Sequence, residues 1–265
     1  MGLLWSEQTW PTIRACARAG WGVILPLGSM EQHGYHLPVD TDAANVYEVA
    51  ARLAGAVDKL LVLPALWTGF SSDNRDYPGT VTLRFDTWSR LVVDACVSIA
   101  RGGFRHVVLL NGHGGQHALT QAVAARLLDE HGLRALAVTW FRYIADAMRE
   151  ICATVAGGID HAGEFETSVV AYLRPHLAAQ GELAEHRYAA PLPSMPKATP
   201  AAFIPHLRQT MSPSGVVGAP SQADAAKGKA IVEAAVERLR VIVEEFLALD
   251  VDAGGEPAPP AAAPP

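Results

Sequence analysis

Short apolar runs alternate with longer amphipathic stretches over most of this chain, and that rhythm limits the available folds more than any other feature. Gly22-Val23-Ile24-Leu25-Pro26-Leu27, Leu60-Leu61-Val62-Leu63-Pro64, His106-Val107-Val108-Leu109-Leu110 and the stretch from Leu133 to Thr139 read as strands. Helical spacing runs over about 43–57, 86–101, 116–130, 164–173 and 223–247. Thr41 or Asp42 offers an N-cap to the first of these, and Gly102-Gly103 stops the second. Strand, helix, strand in this order predicts an α/β fold with a mostly parallel sheet and helices on both faces.

Length and composition agree. With 265 residues, half of them hydrophobic and 18% charged, the chain can bury a sizeable core. Residues 1–249 are expected to form a single domain, with 250–265 a disordered Pro/Ala-rich tail. Pro191 to Pro220, rich in Pro and Ser, is expected to be a long loop, either covering a site or reaching a neighbouring subunit. A net charge of −6 supplies no basic surface for nucleic acid, and no apolar run approaches the ~20 residues of a membrane span. The first ten residues lack the basic-then-apolar order of a signal peptide. Cys16, Cys96 and Cys152 are odd in number and far apart, which fits reduced structural thiols in a cytoplasmic protein.

The histidines carry more. Leu27-Gly28-Ser29-Met30-Glu31-Gln32-His33-Gly34-Tyr35-His36-Leu37-Pro38-Val39-Asp40-Thr41-Asp42 follows the first strand, where open α/β sheets place their ligand crevice. In extended chain Glu31 and His33 point to the same side, and Asp42 returns at the next helix to join them. Alone, each would read as part of a polar turn; together they read as a site for a divalent cation such as Zn, Mn or Fe(II). Asn111-Gly112-His113-Gly114-Gly115-Gln116-His117 follows the strongest strand and displays His113 at the same sheet edge. His117, a helical turn later, is given no role. The third cluster is Asp160-His161-Ala162-Gly163-Glu164-Phe165-Glu166-Thr167-Ser168. If a helix begins near Gly163, Glu164 and Glu166 diverge by about 200° and cannot both face one small site. His161 and Glu164, three apart, can share a face. Glu164 is therefore the preferred ligand and His161 an acid/base group, with Glu166 behind the site or at the helix cap, and its use as the ligand instead left open.

These three segments resemble the signature segments of the creatininase family of metal-dependent amidohydrolases, and Pro78-Gly79-Thr80 and Ser214-Gly215-Val216-Val217-Gly218 fit the same pattern. The resemblance implies a three-layer α/β/α fold, two divalent metal ions per subunit, often a homohexamer, and hydrolysis of C–N bonds in small or cyclic amides. It implies Glu31 on one ion with His113, His33 on the other, and Asp42 between them. Creatinine hydrolases proper have a glutamate two residues after the NGH histidine, where this chain has Gly115; the HAGE-type subgroup is the better match, with Glu164 inferred to replace the missing ligand. Where many members carry a histidine four residues before the Pro of the PGT segment, this chain has Asn74. Both departures argue against creatinine as substrate. Zinc is the first expectation for the metal, with manganese or iron(II) next.

The mechanism that follows has a metal-activated water attacking a small-molecule amide, formamide or short peptide. His161 would protonate the leaving nitrogen, since its ordinary pKa of ~6.5 suits both acid and base roles. His36 could orient a ligand from behind. Arg75 would meet an anionic substrate only if it left the exposed-loop role that is its default. Rival readings are a metal-dependent enzyme opening a carbocyclic ketone and a metal-stabilised scaffold with a decayed site. No G-x-S-x-G elbow supports a serine hydrolase.

Overall fold

The computed structural model describes residues 2–153, 159–178, 181–186 and 212–250. Its strands are Leu3–Leu4 (β1), Gly22–Leu27 (β2), Leu60–Val62 (β3), Val107–Asn111 (β4) and Ala135–Thr139 (β5), and its α-helices are Trp10–Arg18 (α1), Thr41–Ala56 (α2), Phe85–Arg101 (α3), His117–His131 (α4), Trp140–Tyr143 (α5), Ala145–Ile151 (α6), Glu164–Leu173 (α7) and Ala225–Ala248 (α8). All four strand pairings are parallel, in the order β1-β3-β2-β4-β5.

The period-two alternation of strand side chains divides the core. Val23, Leu25, Leu27, Leu61, Val107 and Leu109 pack against α1, α3 and α4. Ile24, Val62, Val108, Leu110 and Val138 face a second cluster built with α2 and α5 to α8. The expected three-layer α/β/α arrangement is thus present. Pro26 sits in a central strand because nothing there needs its missing N–H. Its carbonyl points to the β3 side, where it accepts from Leu66 N, and the β2–β3 ladder has already ended at Ile24↔Val62.

The site is positioned by two features of this frame. Leu27 pairs with Asn111, so the loops after β2 and β4 leave the same sheet edge side by side. At Gly112 a Cβ would stand 2.6 Å from Val46 Cβ and 2.9 Å from Asp42 O, so only glycine lets the start of α2 lie across that edge. Asp40, not Thr41 or Asp42, is the residue preceding α2; Asp42 lies inside the first turn and its carboxylate is not used as a cap. α7 packs against α2 and α8, which brings its N-terminus to the same edge. Most of the Pro/Ser-rich segment, and the expected tail at 251–265, lie outside the described residues.

Candidate metal centre

The loop after β2 closes on itself through Glu31 N–H, which donates to Val39 O (2.8 Å). This buries Glu31 and His33 completely, and Asp42, His113 and Glu166 are buried beside them. Asp42 is central. Its Oδ1 lies 3.3 Å from His33 Nε2 and its Oδ2 lies 2.8 Å from His113 Nδ1. Glu31 Oε2 is 3.3 Å from His113 Nδ1, and Glu166 Oε2 is 3.5 Å from His33 Nε2. Three donor sets result among the described residues, Glu31/Asp42/His113, His33/Asp42/Glu166 and Glu31/His33/His161, each with its donor atoms within 4.8 Å of one another; the first two share Asp42. Donors bound tetrahedrally at about 2.0–2.1 Å from an ion stand about 3.4 Å apart, so these spacings suit a cation.

The unpaired atoms point the same way. Glu31 Oε1, His33 Nε2 and His113 Nε2 are buried without a hydrogen-bond partner. His33 Nδ1 lies 3.1 Å from Glu31 O and must donate to it, so in the neutral ring a lone pair on Nε2 faces the oxygens of Asp42 and Glu166. Only a proton or a cation relieves that arrangement. In the metal-free chain it is a proton: burial opposes charging His33, but Glu166 and then Asp42 outweigh it and hold its pKa well above the ordinary value. His113 is raised in the same way, with Glu31 and Asp42 overcoming burial. Burial pulls Asp42 upward, but His33 and His113 win and bring it down to about 2. Three buried carboxylates and imidazoles held this close fit divalent cations.

Hydrogen bonds behind these groups aim them. Ser29 Oγ (3.2 Å) and Ser71 Oγ both donate to Glu31 Oε2, leaving Oε1 to face His161 Nδ1 at 3.4 Å. Asn111 Oδ1 accepts from His113 N (3.1 Å) and its Nδ2 donates to His113 O (2.8 Å). Ala162 takes the left-handed conformation (φ 52), which costs a non-glycine residue roughly 1–2 kcal/mol. Its N–H thereby reaches Glu166 Oε2 at 2.5 Å.

That turn corrects the sequence reading of Glu164. Glu164 and Glu166 diverge as expected, but it is Glu166 that enters the cluster. Glu164 is fully buried elsewhere, its Oε1 accepting from Lys227 Nζ (2.7 Å) and Ala153 N (2.8 Å). The shared face of His161 and Glu164 assumed a helix reaching back to His161, and the left-handed Ala162 breaks it. Glu31, His33, Asp42, His113 and His161 are brought together; Glu164 is not. No signal in the sequence revealed Lys227 as the partner of Glu164.

His36 is buried beneath His33, with Nε2 3.0 Å from Thr167 Oγ1; burial, with the charge of His33 adding to it, lowers its pKa to about 4. Arg75, 55% exposed, lies 3.8 Å from Asp76 at the surface, and His117 bonds Thr139 Oγ1. Among the aromatic residues, Trp140 is core, Tyr77 donates to Ser212 O, and Trp67 and Tyr143 are exposed. All three cysteines are buried and unpaired, and no helix among the described residues is long and apolar enough to cross a membrane.

Comparison with known proteins gives the family. The family model described as Creatininase (creatinine amidohydrolase) matches residues 6–243. A mycofactocin precursor peptide peptidase of Mycobacterium tuberculosis is 36% identical over 230 residues, covering 81% of each chain. The creatinine amidohydrolase of Pseudomonas putida is 28% identical over 265 residues, covering 91% of this chain and 96% of its own. A solved mutant creatininase of Zn-Zn type superposes with a TM-score of 0.75 at 26% identity, over 94% of this chain and all of the other.

Proposed function

The chain belongs to the creatininase family, whose members are amidohydrolases, and from that premise we propose that it cleaves an amide C–N bond in a short peptide or other small amide with two divalent cations that share Asp42. Glu31, His113 and Asp42 would hold one cation, and His33, Glu166 and Asp42 the other. Asp42 carries this reading, because each of its oxygens faces a different histidine. When bound, the pair would supply Lewis acidity, activating water near neutral pH and polarising the scissile carbonyl. Zinc is the first candidate on the donor set, with manganese or iron(II) next.

The chain's own residues do the rest. Ser29 and Ser71 orient Glu31, and Ala162 N–H orients Glu166. With a cation bound, His33, donating from Nδ1 to Glu31 O, would present an unprotonated Nε2. His161, at the edge of the cluster, carries a proton to the departing nitrogen, since an amide anion is a very poor leaving group. Gly115, where creatinine hydrolases proper carry a glutamate, together with the higher identity to peptide peptidases, favours a peptide amide over creatinine. We take the working assembly to be a homo-oligomer, a hexamer in the first instance.

The test is zinc content and turnover of the metal-loaded protein on cyclic amides, formamides and short peptides, with Glu31→Gln as the blank. Two ions per chain and cleavage above the blank are expected. Two ions with no cleavage of any amide would favour the scaffold reading, and fewer than two would remove the shared-carboxylate centre.

A further inference from the structure

Gln32 lies between Glu31 and His33, with its side chain turned away from both and buried. We propose that Gln32 is the positioning residue for His161: its main-chain carbonyl, kept in place by the bonds of its side-chain amide, holds the imidazole as the Nε2–H tautomer, with Nδ1 turned toward Glu31. The catalytic value of this clamp rests on the reading of His161 as proton carrier; the clamp itself does not.

Proton counting carries the inference. The Gln32 amide nitrogen has two hydrogens, and two acceptors take them, Asn74 Oδ1 at 2.7 Å and Gly215 O at 3.2 Å. The amide oxygen accepts from Gly34 N at 2.9 Å. Turning the amide over would set an oxygen against two oxygens and an NH₂ against an N–H, so its orientation is fixed. His161 Nε2 stands 2.9 Å from that amide nitrogen and 2.7 Å from Gln32 O. The amide has no third hydrogen for the ring, and a carbonyl only accepts. Nε2 must therefore carry the proton and donate it to Gln32 O. In the neutral ring Nδ1 is then the lone-pair nitrogen, and it is Nδ1 that lies 3.4 Å from Glu31 Oε1.

The surroundings hold this geometry in place. Gln32 N donates to Thr80 Oγ1 (3.2 Å), and the His33 ring lies against the His161 ring with centroids 4.4 Å apart. Gly215 has φ +81, and a Cβ there would overlap Gln32 Oε1, so only glycine admits the amide. Val217 N donates to His161 O (2.8 Å). The PGT segment, Asn74 and the late Ser214–Gly218 segment thus all converge on one residue, Thr80 on its main chain and Asn74 and Gly215 on its side chain.

The chemical consequence is an order of events. With Nε2–H held, Nδ1 is the atom that exchanges protons: it takes one from the attacking water as its oxygen bonds to the carbonyl carbon. It gives that proton to the nitrogen as the C–N bond breaks, and the ring ends neutral. While the ring is charged, the Nε2–H bond to Gln32 O is charge-assisted and shorter.

The experiment is two-bond ¹H–¹⁵N correlation on zinc-loaded, ¹⁵N-histidine-labelled protein, with His161 assigned by its absence in His161→Gln. The expected spectrum shows a protonated Nε2 and an unprotonated Nδ1. In Gln32→Leu the main-chain carbonyl loses the anchors to Asn74, Gly215 and Gly34 that fix it, so an Nδ1–H population is expected beside the Nε2–H one. Its kcat on the panel substrate should fall at least tenfold, with KM within twofold and zinc content kept, roughly the scale of a misaligned acid–base group. A purely structural role would not change the tautomer. A protonated Nδ1 in the wild-type protein, or a Gln32→Leu protein with unchanged tautomer and kcat, overturns the proposal. If Gln32→Leu does not fold, the wild-type spectrum decides alone. A zinc-coordinated Nδ1 shift would end the proton-carrier reading while supporting the clamp.

Discussion

Two neighbouring glutamates on α7 have opposite employment, and replacing each by glutamine separates them. Glu164 Oε1 is 2.7 Å from Lys227 Nζ, a gross attraction of about 6 kcal/mol at an effective dielectric of ~20. Desolvation of the fully buried carboxylate offsets much of it. Glutamine keeps an oxygen for Ala153 N and Lys227 Nζ, and Lys227, 22% exposed, still has Gln222 O at 2.6 Å. The expected net loss is about 2 kcal/mol, or about 4–8 °C in Tm for a chain of this size. Glu166→Gln keeps an acceptor for Ala162 N but removes the charge beside His33 Nε2. It should lower Tm less than Glu164→Gln does in chelated protein, and lose one of two zinc ions after dialysis. Calorimetry on chelated samples and elemental analysis on reloaded ones are the assays. Loss of zinc from Glu164→Gln with full zinc in Glu166→Gln would refute the assignment made from the Ala162 turn.

Two further outcomes follow from the same cluster. His33 and His113 have raised pKa values in the metal-free chain, so their stabilising contribution is complete below their ordinary pKa of ~6.5 and is lost as pH rises through the folded values. Asp42, lowered to about 2, contributes above its ordinary value and loses that contribution only as pH falls toward 2. The Tm of chelated protein should therefore decline as pH rises above about 6.5 while that of zinc-loaded protein does not, and parallel curves would contradict it. In Gly115→Ala the new Cβ would stand 2.6 Å from His113 Nε2, so the ring must move from Asp42 Oδ2; chelator competition should show the Glu31/His113/Asp42 ion held about 10–100-fold more weakly, and unchanged affinity would count against the site.

Much of this was legible in the chain. β2 was readable residue for residue as Gly22–Leu27, and α7 as Glu164–Leu173, because their apolar spacing is regular and their ends carry Gly, Pro or Arg. β1 was not, since two residues hold no period, and α1, α5 and α6 were also unread; α5 and α6 are four and seven residues long. The cluster of Glu31, His33, Asp42 and His113 followed from strand ends at one sheet edge. The choice between Glu164 and Glu166 hung on one left-handed residue, Ala162, and alanine announces no such conformation. Gln32 was passed over because its significance lies in Asn74 and Gly215, far away in sequence.

The shared carboxylate also bears on how the chain stays together. Asp42, His113 and Glu166 belong to three stretches that an unfolded polymer would seldom bring within reach of one another. A pair of cations sharing Asp42 would act as a removable cross-link between them, and closing loops of roughly 100 residues is worth several kcal/mol of chain entropy when a covalent bridge does it. The three thiols are all buried and unjoined, so no disulfide shares that task, and chelation of zinc-loaded protein should open the chain to proteases around positions 31–42 and 160–166 first.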